Sequence, residues 1–322
     1  MTTTPKIVIH NDRTSAFAAM LSSAFTGADF CECNTYEDLP GLIESYRPEI
    51  VYTVRFSGTP GFPRAALFGP EGPRWIANGG AGTDHFGIWD KDRVTVTNAA
   101  GVAAEMMAEY VIGGFLHFTL DVPGLEADKG RKIWQTRQMQ PLKGSTLLIV
   151  GLGHTGRALA ARAKSFGMQV IGTRSTPRPM DDVDKIGSPD DLPGLLPLAD
   201  FIAVCAPLTR QTRGLLGESE FTQVKPGVIL ADVSRGGVVD QQALLKAVES
   251  GHVKAAVLDV FETEPLPSDS FFWEQDNVLI SPHCSSVFDG WEEASFDIFL
   301  ANLNRWIVGE PLVNVVNPQR GY

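Results

Sequence analysis

Short apolar segments alternate with stretches of helical periodicity along the whole chain of 322 residues, and this alternation constrains the fold more than any other feature. The pattern is typical of βαβ units, in which parallel strands are joined by helices. We separate two sets of predicted strands, which indicate an α/β fold with two doubly wound parallel-sheet domains. The first set begins at Lys6, Phe30, Ile50, Arg74 and Val94. The second set begins at Thr146, Met168, Asp200, Val228, Ala255 and Asn277.

Two helical segments define the expected domain boundaries. Residues 103–117 are apolar on all sides, which predicts a buried helix that crosses between the domains. The last helical segment ends at Gly309 and has a proline two residues further on as a stop signal. Because no strand of the second set follows this helix, we expect it to return to the first domain. The predicted domains are therefore a discontinuous one, 1–102 with 289–322, and a continuous one, 103–288.

Composition excludes several classes of protein. The net charge of −11 argues against a nucleic-acid or anionic-membrane surface, since both require clustered positive charge. We expect no secretion signal, because the N-terminal segment has neither a positively charged region nor an apolar one of the required kind. We also expect no membrane helix, because no apolar stretch approaches the required length of about 20 residues. The cysteines lack zinc-binding spacing, so we expect reduced thiols, no metal site and a cytoplasmic location. The cysteines lie at positions Cys31, Cys33, Cys205 and Cys284.

A glycine-rich motif is the strongest local signal. The run Gly151-Leu-Gly153-His-Thr-Gly156 follows a predicted strand and opens a predicted helix. In a dinucleotide-binding loop, the first glycine allows the tight turn, the second lets the backbone approach the pyrophosphate, and the third lets helix and strand pack closely. The alternative interpretation is a glycine-rich turn without a ligand. The N-terminus of the following helix would supply N–H groups for the phosphates.

The residue after the next strand bears on cofactor choice. An NAD-binding domain carries an acidic residue there, about 20 residues beyond the loop, whereas this chain has Arg174, followed by Ser175 and, nearby, Arg178. A guanidinium group pairs with a 2′-phosphate, which a carboxylate would repel. We therefore predict NADPH/NADP in preference to NADH/NAD. The alternative is that Arg174 stacks on the adenine and selects neither cofactor.

Three polar residues, Arg235, Glu264 and His283, each follow a predicted strand of the second domain. The carboxyl ends of parallel strands face the ligand crevice in open α/β sheets, so these side chains should converge there. A cation, a carboxylate and an imidazole at that edge are the groups that a hydride-transfer site needs.

Several runs together resemble the D-isomer-specific 2-hydroxyacid dehydrogenase family. They occur in the family's order, as GAGTDHF from Gly80, VTNAAGVAAEMMAEY from Val94, GLGHTG from Gly151, APLTRQTRGLL from Ala206, DVSRGGVVDQQALLKAV from Asp232, LDVFETEPLP from Leu258 and ISPH from Ile280. The resemblance implies a Rossmann dinucleotide domain together with a smaller flavodoxin-like substrate domain. One departure is Asp232, which stands where Asn is common in the family.

The resemblance also implies roles for individual residues. Arg235 would hold the carboxylate and carbonyl oxygen of the substrate, His283 would be the general acid/base, and Glu264 would orient His283 and keep it charged. The cofactor-binding residues would be Gly151, Gly153, His154, Thr155, Gly156, Arg174, Ser175, Pro207, Thr212, Val233 and, on the nicotinamide side, Asp259. The substrate-binding residues would be Gly80, Ala81 and Gly82. Independently of the resemblance, Arg55 and Phe56 follow a predicted strand whose end could face the substrate, and a solvated Arg55 is the alternative.

The predicted function is NADPH-dependent reduction of a small 2-keto acid, of glyoxylate or hydroxypyruvate type, to the D-2-hydroxy acid. The resemblance further implies a homodimer, for which the polar and irregular segment 121–143 is the natural arm. One alternative is a 3-phosphoglycerate dehydrogenase-like enzyme, which would need a phosphate site that we do not find in the first domain. Another is a non-enzymatic, nucleotide-sensing protein that resembles a corepressor.

Overall fold

The computed structural model describes residues 4–55 and 59–321, and it divides into two compact units. Unit 1 comprises residues up to Val102 together with those from Asp289 onward, and unit 2 spans Ala103–Phe288. The assignment of unit 1 to the substrate and of unit 2 to the dinucleotide stays a prediction.

The regular elements follow one another in alternation over most of the chain. In chain order they are β1 (Lys6–His10), α1 (Thr14–Ala24), β2 (Asp29–Cys33), α2 (Asp38–Tyr46), β3 (Ile50–Thr53), α3 (Arg64–Phe68), β4 (Trp75–Asn78), β5 (Thr95–Asn98), α4 (Ala104–Thr119), α5 (Val122–Arg131), β6 (Thr146–Val150), α6 (His154–Ser165), β7 (Gln169–Thr173), β8 (Lys185–Gly187), α7 (Leu192–Leu195), β9 (Phe201–Val204), α8 (Glu218–Phe221), β10 (Val228–Asp232), α9 (Gln241–Glu249), β11 (Val253–Leu258), β12 (Val278–Ile280) and α10 (Trp291–Val308).

Unit 1 contains a five-stranded parallel sheet of order β2-β1-β3-β4-β5. This is the strand order of flavodoxin-like folds, and all five predicted strands are present. Helix α10 packs on this sheet, because Phe296 and Phe299 share a buried cluster with Ile9 and Tyr52. The helix ends at Gly309 as predicted, and this glycine has φ +74°, the left-handed conformation common just after a helix.

Unit 2 contains a seven-stranded parallel sheet of order β12-β11-β10-β9-β6-β7-β8. Numbered from β6, this is the Rossmann order extended by one strand. Both faces are buried, since Leu147 and Ile149 of β6 belong to one apolar cluster and Leu148 and Val150 to another. The α/β fold class with two parallel-sheet domains is therefore confirmed.

Three local predictions are wrong. The second sheet has seven strands and not six, because the three-residue β8 is too short to give an apolar run. Helix α4 is not buried on all sides, since Glu105, Glu109 and Gly113 are exposed. The segment 121–143 is not irregular throughout, because α5 occupies its first half. Among the described residues, no helix is both long and apolar enough to cross a membrane.

Candidate active site

The glycine motif forms the turn between β6 and α6. Gly151 has φ +105°, and a Cβ placed on it would lie 2.7 Å from the backbone nitrogen of Ala206. A Cβ on Gly156 would overlap the carbonyl oxygen of Gly151, so that helix and strand approach closely only with glycine there. Gly153, at the N-cap of α6, has open space where its Cβ would be. The surroundings of the three glycines fit a loop that binds a pyrophosphate. The open space at Gly153 lies where the pyrophosphate would approach the backbone most closely.

Arg174 directly follows β7 and lies among positive charges. Its Nε is buried without a hydrogen-bond partner among the described residues, and Nη1 contacts Sδ of Met180 at 3.3 Å. Burial and the neighbouring guanidinium groups of Arg178 and Arg157 lower the pKa of Arg174. No carboxylate forms an ion pair with these three groups within the described part of the chain. The cluster is therefore a candidate site for an anionic group.

Arg157, in the first turn of α6, is a member of this cluster that sequence reasoning missed. Its Nη2 lies 3.3 Å from Nδ1 of His154, and burial together with Arg157 lowers the pKa of His154. Arg157 could have been identified from the sequence, because it directly follows Gly156 in the helix that begins at the glycine loop. Ser175 is exposed beside Arg174, and Thr155 Oγ1 faces Sδ of Met107 at 3.6 Å.

The loop after β9 brings two further predicted residues together. Thr212 Oγ1 donates to the carbonyl oxygen of Pro207 at 2.5 Å and accepts from the N–H of Thr209 at 2.8 Å. The side chain of Val233, by contrast, is buried, and its N–H donates to the carbonyl of Val204. Only the carbonyl group of Val233 is therefore left to meet a ligand.

Arg235, Glu264 and His283 converge at the carboxyl ends of β10, β11 and β12. Nδ1 of His283 lies 2.8 Å from Oε2 of Glu264, and Nε2 lies 3.5 Å from Nη1 of Arg235. Nη1 of Arg235 also donates to the carbonyl of Ser234 at 2.7 Å. Glu264 is fixed from its other side, because its Oε1 accepts the N–H of Phe261 at 2.9 Å.

The electrostatics of this triad favour an ionised Glu264. Partial burial raises the pKa of Glu264, but hydrogen bonds from His283 and from the Phe261 N–H, with Arg235 nearby, bring the net pKa below its usual value. A carboxylate accepting from Nδ1–H selects the tautomer in which Nε2 exchanges protons with a ligand. The side chains of His283 and Glu264 remain about one-third exposed, so a ligand has access to them.

Asp259 holds the loop that carries His283. Its buried carboxylate accepts from the N–H groups of Cys284 and Ser285 at 2.8 and 3.0 Å, and from the hydroxyls of Ser281 and Ser285. Its carbonyl accepts the N–H of His283, which has φ +52°. Tyr110 of α4 extends the network through a 2.6 Å contact with the Ser281 hydroxyl. These hydrogen bonds tie Asp259 to the loop that carries His283, and sequence reasoning missed them.

In unit 1, the turn after β4 presents free N–H groups. The side chain of Asn78 donates to the carbonyls of Gly80 and Gly82, and Asn98 donates to that of Ala81. The N–H groups of Gly80, Ala81 and Gly82 donate to no acceptor within 4–55 and 59–321. This arrangement forms a candidate anion-binding turn.

The asparagines that hold this turn, Asn78 and Asn98, were missed in the sequence. Each ends its strand, which was the available signal. Arg55 follows β3, the neighbour of β4, and is exposed, while Phe56 lies outside the described residues. In the described part of the chain no cluster of His, Cys, Asp and Glu could hold a metal ion.

A Rossmann sheet with a glycine-rich loop and a charged triad at its strand ends defines a nucleotide-dependent oxidoreductase. The family model described as "D-isomer specific 2-hydroxyacid dehydrogenase, NAD binding domain" matches residues 113–285. The chain therefore belongs to the D-isomer-specific 2-hydroxyacid dehydrogenases, which are NAD(P)-binding oxidoreductases acting on CH–OH donors.

Individual relatives agree with this family. The chain is 34% identical over 253 residues to glyoxylate reductase from Thermococcus litoralis, covering 75% of this chain and 76% of that protein. It is 31% identical over 281 residues to D-3-phosphoglycerate dehydrogenase from Methanocaldococcus jannaschii, covering 86% of this chain but 53% of that longer protein. A family structure from Xanthobacter autotrophicus Py2, in complex with NADPH and MES, matches with TM-score 0.85 and 29% identity over 99% of this chain and 100% of that one.

Proposed function

We propose that the protein reduces a small 2-keto acid, of glyoxylate or hydroxypyruvate type, to the D-2-hydroxy acid with NADPH. The observation that carries the proposal is the line of contacts from Glu264 through His283 to Arg235. It joins a proton donor to a fixed cation at the carboxyl edge of a nucleotide-binding sheet. The glyoxylate reductase relative supports the substrate class.

The reaction adds a hydride to the carbonyl carbon and a proton to the carbonyl oxygen. Negative charge develops on that oxygen, and Arg235 would stabilise it while also binding the carboxylate of the substrate. Nε2 of His283 would deliver the proton, and the charge of Glu264 would stabilise the imidazolium before transfer. In unit 1, the N–H groups of Gly80, Ala81 and Gly82 would bind carboxylate oxygens of the substrate, with Arg55 as a further cationic candidate.

The nicotinamide, when bound, supplies the hydride. The glycine loop would hold its pyrophosphate, and Arg174, with Arg157, Arg178 and Ser175, would hold the 2′-phosphate. The unpartnered Nε of Arg174 supports the choice of NADPH over NADH, because a buried donor without an acceptor is costly unless a ligand pairs with it. The relative from Xanthobacter, which was crystallised with NADPH, is in line with this choice.

The test follows the nicotinamide absorbance of the purified protein with a panel of keto acids. Glyoxylate, hydroxypyruvate, pyruvate, 3-phosphohydroxypyruvate and a phenyl-substituted keto acid are each combined with NADPH and with NADH. We expect the highest kcat/KM with NADPH and either glyoxylate or hydroxypyruvate. A preference for the phosphorylated acid would instead indicate a 3-phosphoglycerate dehydrogenase-like enzyme, as the relative from Methanocaldococcus suggests. NADPH binding without oxidation of any acid would favour the corepressor-like alternative.

Substitution of the triad separates chemistry from binding. Arg235→Ala and His283→Ala should each lower kcat by at least 100-fold while the Kd for NADPH changes by less than about threefold. Arg320→Ala, at an exposed position near the C-terminus, is the control and should leave both values unchanged. A kcat near that of the unmodified enzyme in either triad variant would contradict these roles.

We also propose a homodimer formed through the segment 121–143, and a cytoplasmic location. The first proposal is supported by Trp134, which is fully exposed, and by Ile133 and Met139, which are 43% and 47% exposed. Such a group of apolar side chains is typical of an interface. The location is supported by the four free cysteines, which are ordinary in a reducing compartment. Cell fractionation with detection of the protein tests the location.

A further inference from the structure

Asp232 is a buried carboxyl group that the proposed chemistry does not use. It ends β10, between β9 and β11, and is 3% exposed. Its Oδ1 accepts the N–H of Ser234 at 3.0 Å and the Ser234 hydroxyl at 2.5 Å. Ser234 therefore anchors one oxygen of this buried carboxyl group.

Charged and titratable groups reach this carboxyl group from each neighbouring element. Asp259 approaches from the end of β11, Cys205 from the end of β9, and Arg235 from the loop after β10. Helix α4 also packs on β10, and its Tyr110 reaches Asp259 through the Ser281 hydroxyl.

These surroundings make Asp232 titrate close to neutrality. Burial first and Asp259 second raise the pKa of Asp232 to about 7, against the opposing effects of Ser234 and Arg235. Burial and Asp232 raise the pKa of Cys205 to about 12, so that this thiol stays neutral. Asp232 thus gains or loses a full charge within the working range of an enzyme.

The position of Asp232 relates that charge to a bound nucleotide. Its strand is two places from β6, which carries the glycine loop, and two strand spacings amount to about 10 Å. Three residues further on, Arg235 contacts His283, the proposed proton donor. A dinucleotide held by the glycine loop and extending toward His283 would pass the end of β10. This step rests on the proposed function.

We propose that Asp232 is a specificity-determining residue that makes the preference between oxidised and reduced nicotinamide depend on pH. The oxidised ring carries a positive charge, whereas the reduced ring is neutral. An ionised Asp232 therefore attracts the oxidised cofactor, and a protonated Asp232 loses this discrimination. As pH rises from 6 to 8, binding of the oxidised form strengthens relative to the reduced form, and acidic conditions favour the form that reduces a keto acid.

The experiment measures Kd for NADP⁺ and for NADPH at pH 6 and pH 8 by quenching of tryptophan fluorescence. We expect the ratio of the Kd for NADPH to the Kd for NADP⁺ to rise by up to about tenfold between the two pH values, because a difference of one unit in the pKa of Asp232 between the two complexes corresponds to a factor of ten in relative binding. Titration of the 2′-phosphate affects both nucleotides alike and cancels in the ratio.

Two variants assign the effect to a residue. Asp232→Asn should hold the ratio constant within about twofold. Asp276→Asn, which changes an exposed carboxylate before β12 at the opposite edge of the sheet, should retain the rise. Asp232→Ser serves if the Asn variant does not fold. A constant ratio in the unmodified protein, or a rise that persists without Asp232, overturns the inference. If neither nucleotide binds, the proposed function fails instead.

Discussion

Oε2 of Glu264 lies 2.8 Å from Nδ1 of His283, while Oε1 of the same carboxylate accepts the backbone N–H of Phe261. Both oxygens are thus committed, and the carboxylate cannot rotate without losing a hydrogen bond. The orientation of the imidazole is therefore set by the backbone at the end of β11, and Nε2 is directed toward Arg235.

Removal of the negative charge of Glu264 should slow the reaction more than it weakens binding. Glu264→Gln retains the shape and one acceptor oxygen, but it no longer stabilises a positive imidazole. We expect kcat to fall by about 10- to 1,000-fold, with KM for NADPH within about threefold. The matched control is Glu262→Gln, an exposed carboxylate two residues earlier, which should keep normal kcat. An equal loss of kcat in both variants would indicate that the substitutions disturb the loop, and not that the charge of Glu264 is needed.

The arginine cluster should decide between the two cofactors. Arg174→Ala should raise the Kd for NADPH by about 10- to 100-fold, because a charge-assisted pair with the 2′-phosphate is lost, and should leave the Kd for NADH nearly unchanged. Arg157→Ala should have a smaller effect in the same direction, since Arg157 is exposed. Isothermal titration with both nucleotides measures these changes. Equal weakening of NADPH and NADH would instead indicate that Arg174 stacks on the adenine.

The carboxylate of Asp259 should be more important for the loop after β12 than for contact with a ligand. Asp259→Asn directs an amide N–H₂ group toward some of its four donors, so that buried polar groups lose their acceptor. We expect Tm to fall by several degrees and kcat by at least 10-fold, because His283 loses its fixed position. Thermal unfolding and steady-state kinetics test this together. A variant with normal Tm but weak nucleotide binding would indicate that Asp259 contacts the cofactor directly.

Trp134 should control assembly. The segment that carries it is held by Arg137, which pairs with Asp121 and Asp128. Hydrogen bonds from Arg137 first, and then from Gln135 and Arg131, lower the pKa of Asp128 to about 2. The segment therefore keeps its shape at neutral pH while its apolar side chains face outward. Trp134→Ser should convert a dimer to a monomer in light scattering. Trp273→Ser, at another exposed tryptophan, should not. A monomeric unmodified protein would contradict the proposal.

Sequence reasoning predicted the features that depend on local pattern. Buried parallel strands are continuous apolar runs, so all eleven predicted strands are present, and Gly309 ends α10 as its left-handed conformation requires. Strand β8 was missed because three residues carry no recognisable period. Helix α5 was missed because its composition is polar and its stabilising pairs join residues up to 16 positions apart.

The candidate site was predictable to the extent that strand order determines it. Arg235, Glu264 and His283 each follow a strand, and parallel strands place them at one edge. The residues that hold them were not predictable, because their partners are distant in sequence. Asp259 binds a loop more than 20 residues away, and Asn98 holds a carbonyl 17 residues earlier. Such contacts become visible only after the chain has folded.

The burial of Asp232 should make stability depend on pH in a defined direction. Its pKa is raised to about 7 in the folded protein, mainly by burial, and is about 3.9 in an unfolded chain. Between these values the unfolded chain loses the proton that the folded protein keeps. The Asp232 contribution to the free energy of unfolding is therefore fully present below pH 4, is lost as pH rises toward 7, and is constant above that.

Asp232→Asn removes this dependence, so its Tm should exceed that of the unmodified protein by an amount that grows from pH 5 to pH 7.5. The gain should reach up to a few kcal/mol in unfolding free energy, since one pKa unit corresponds to about 1.4 kcal/mol. Calorimetry at both pH values, with Asp276→Asn as the control, measures it, and an equal Tm difference at the two values would show that Asp232 is ionised throughout.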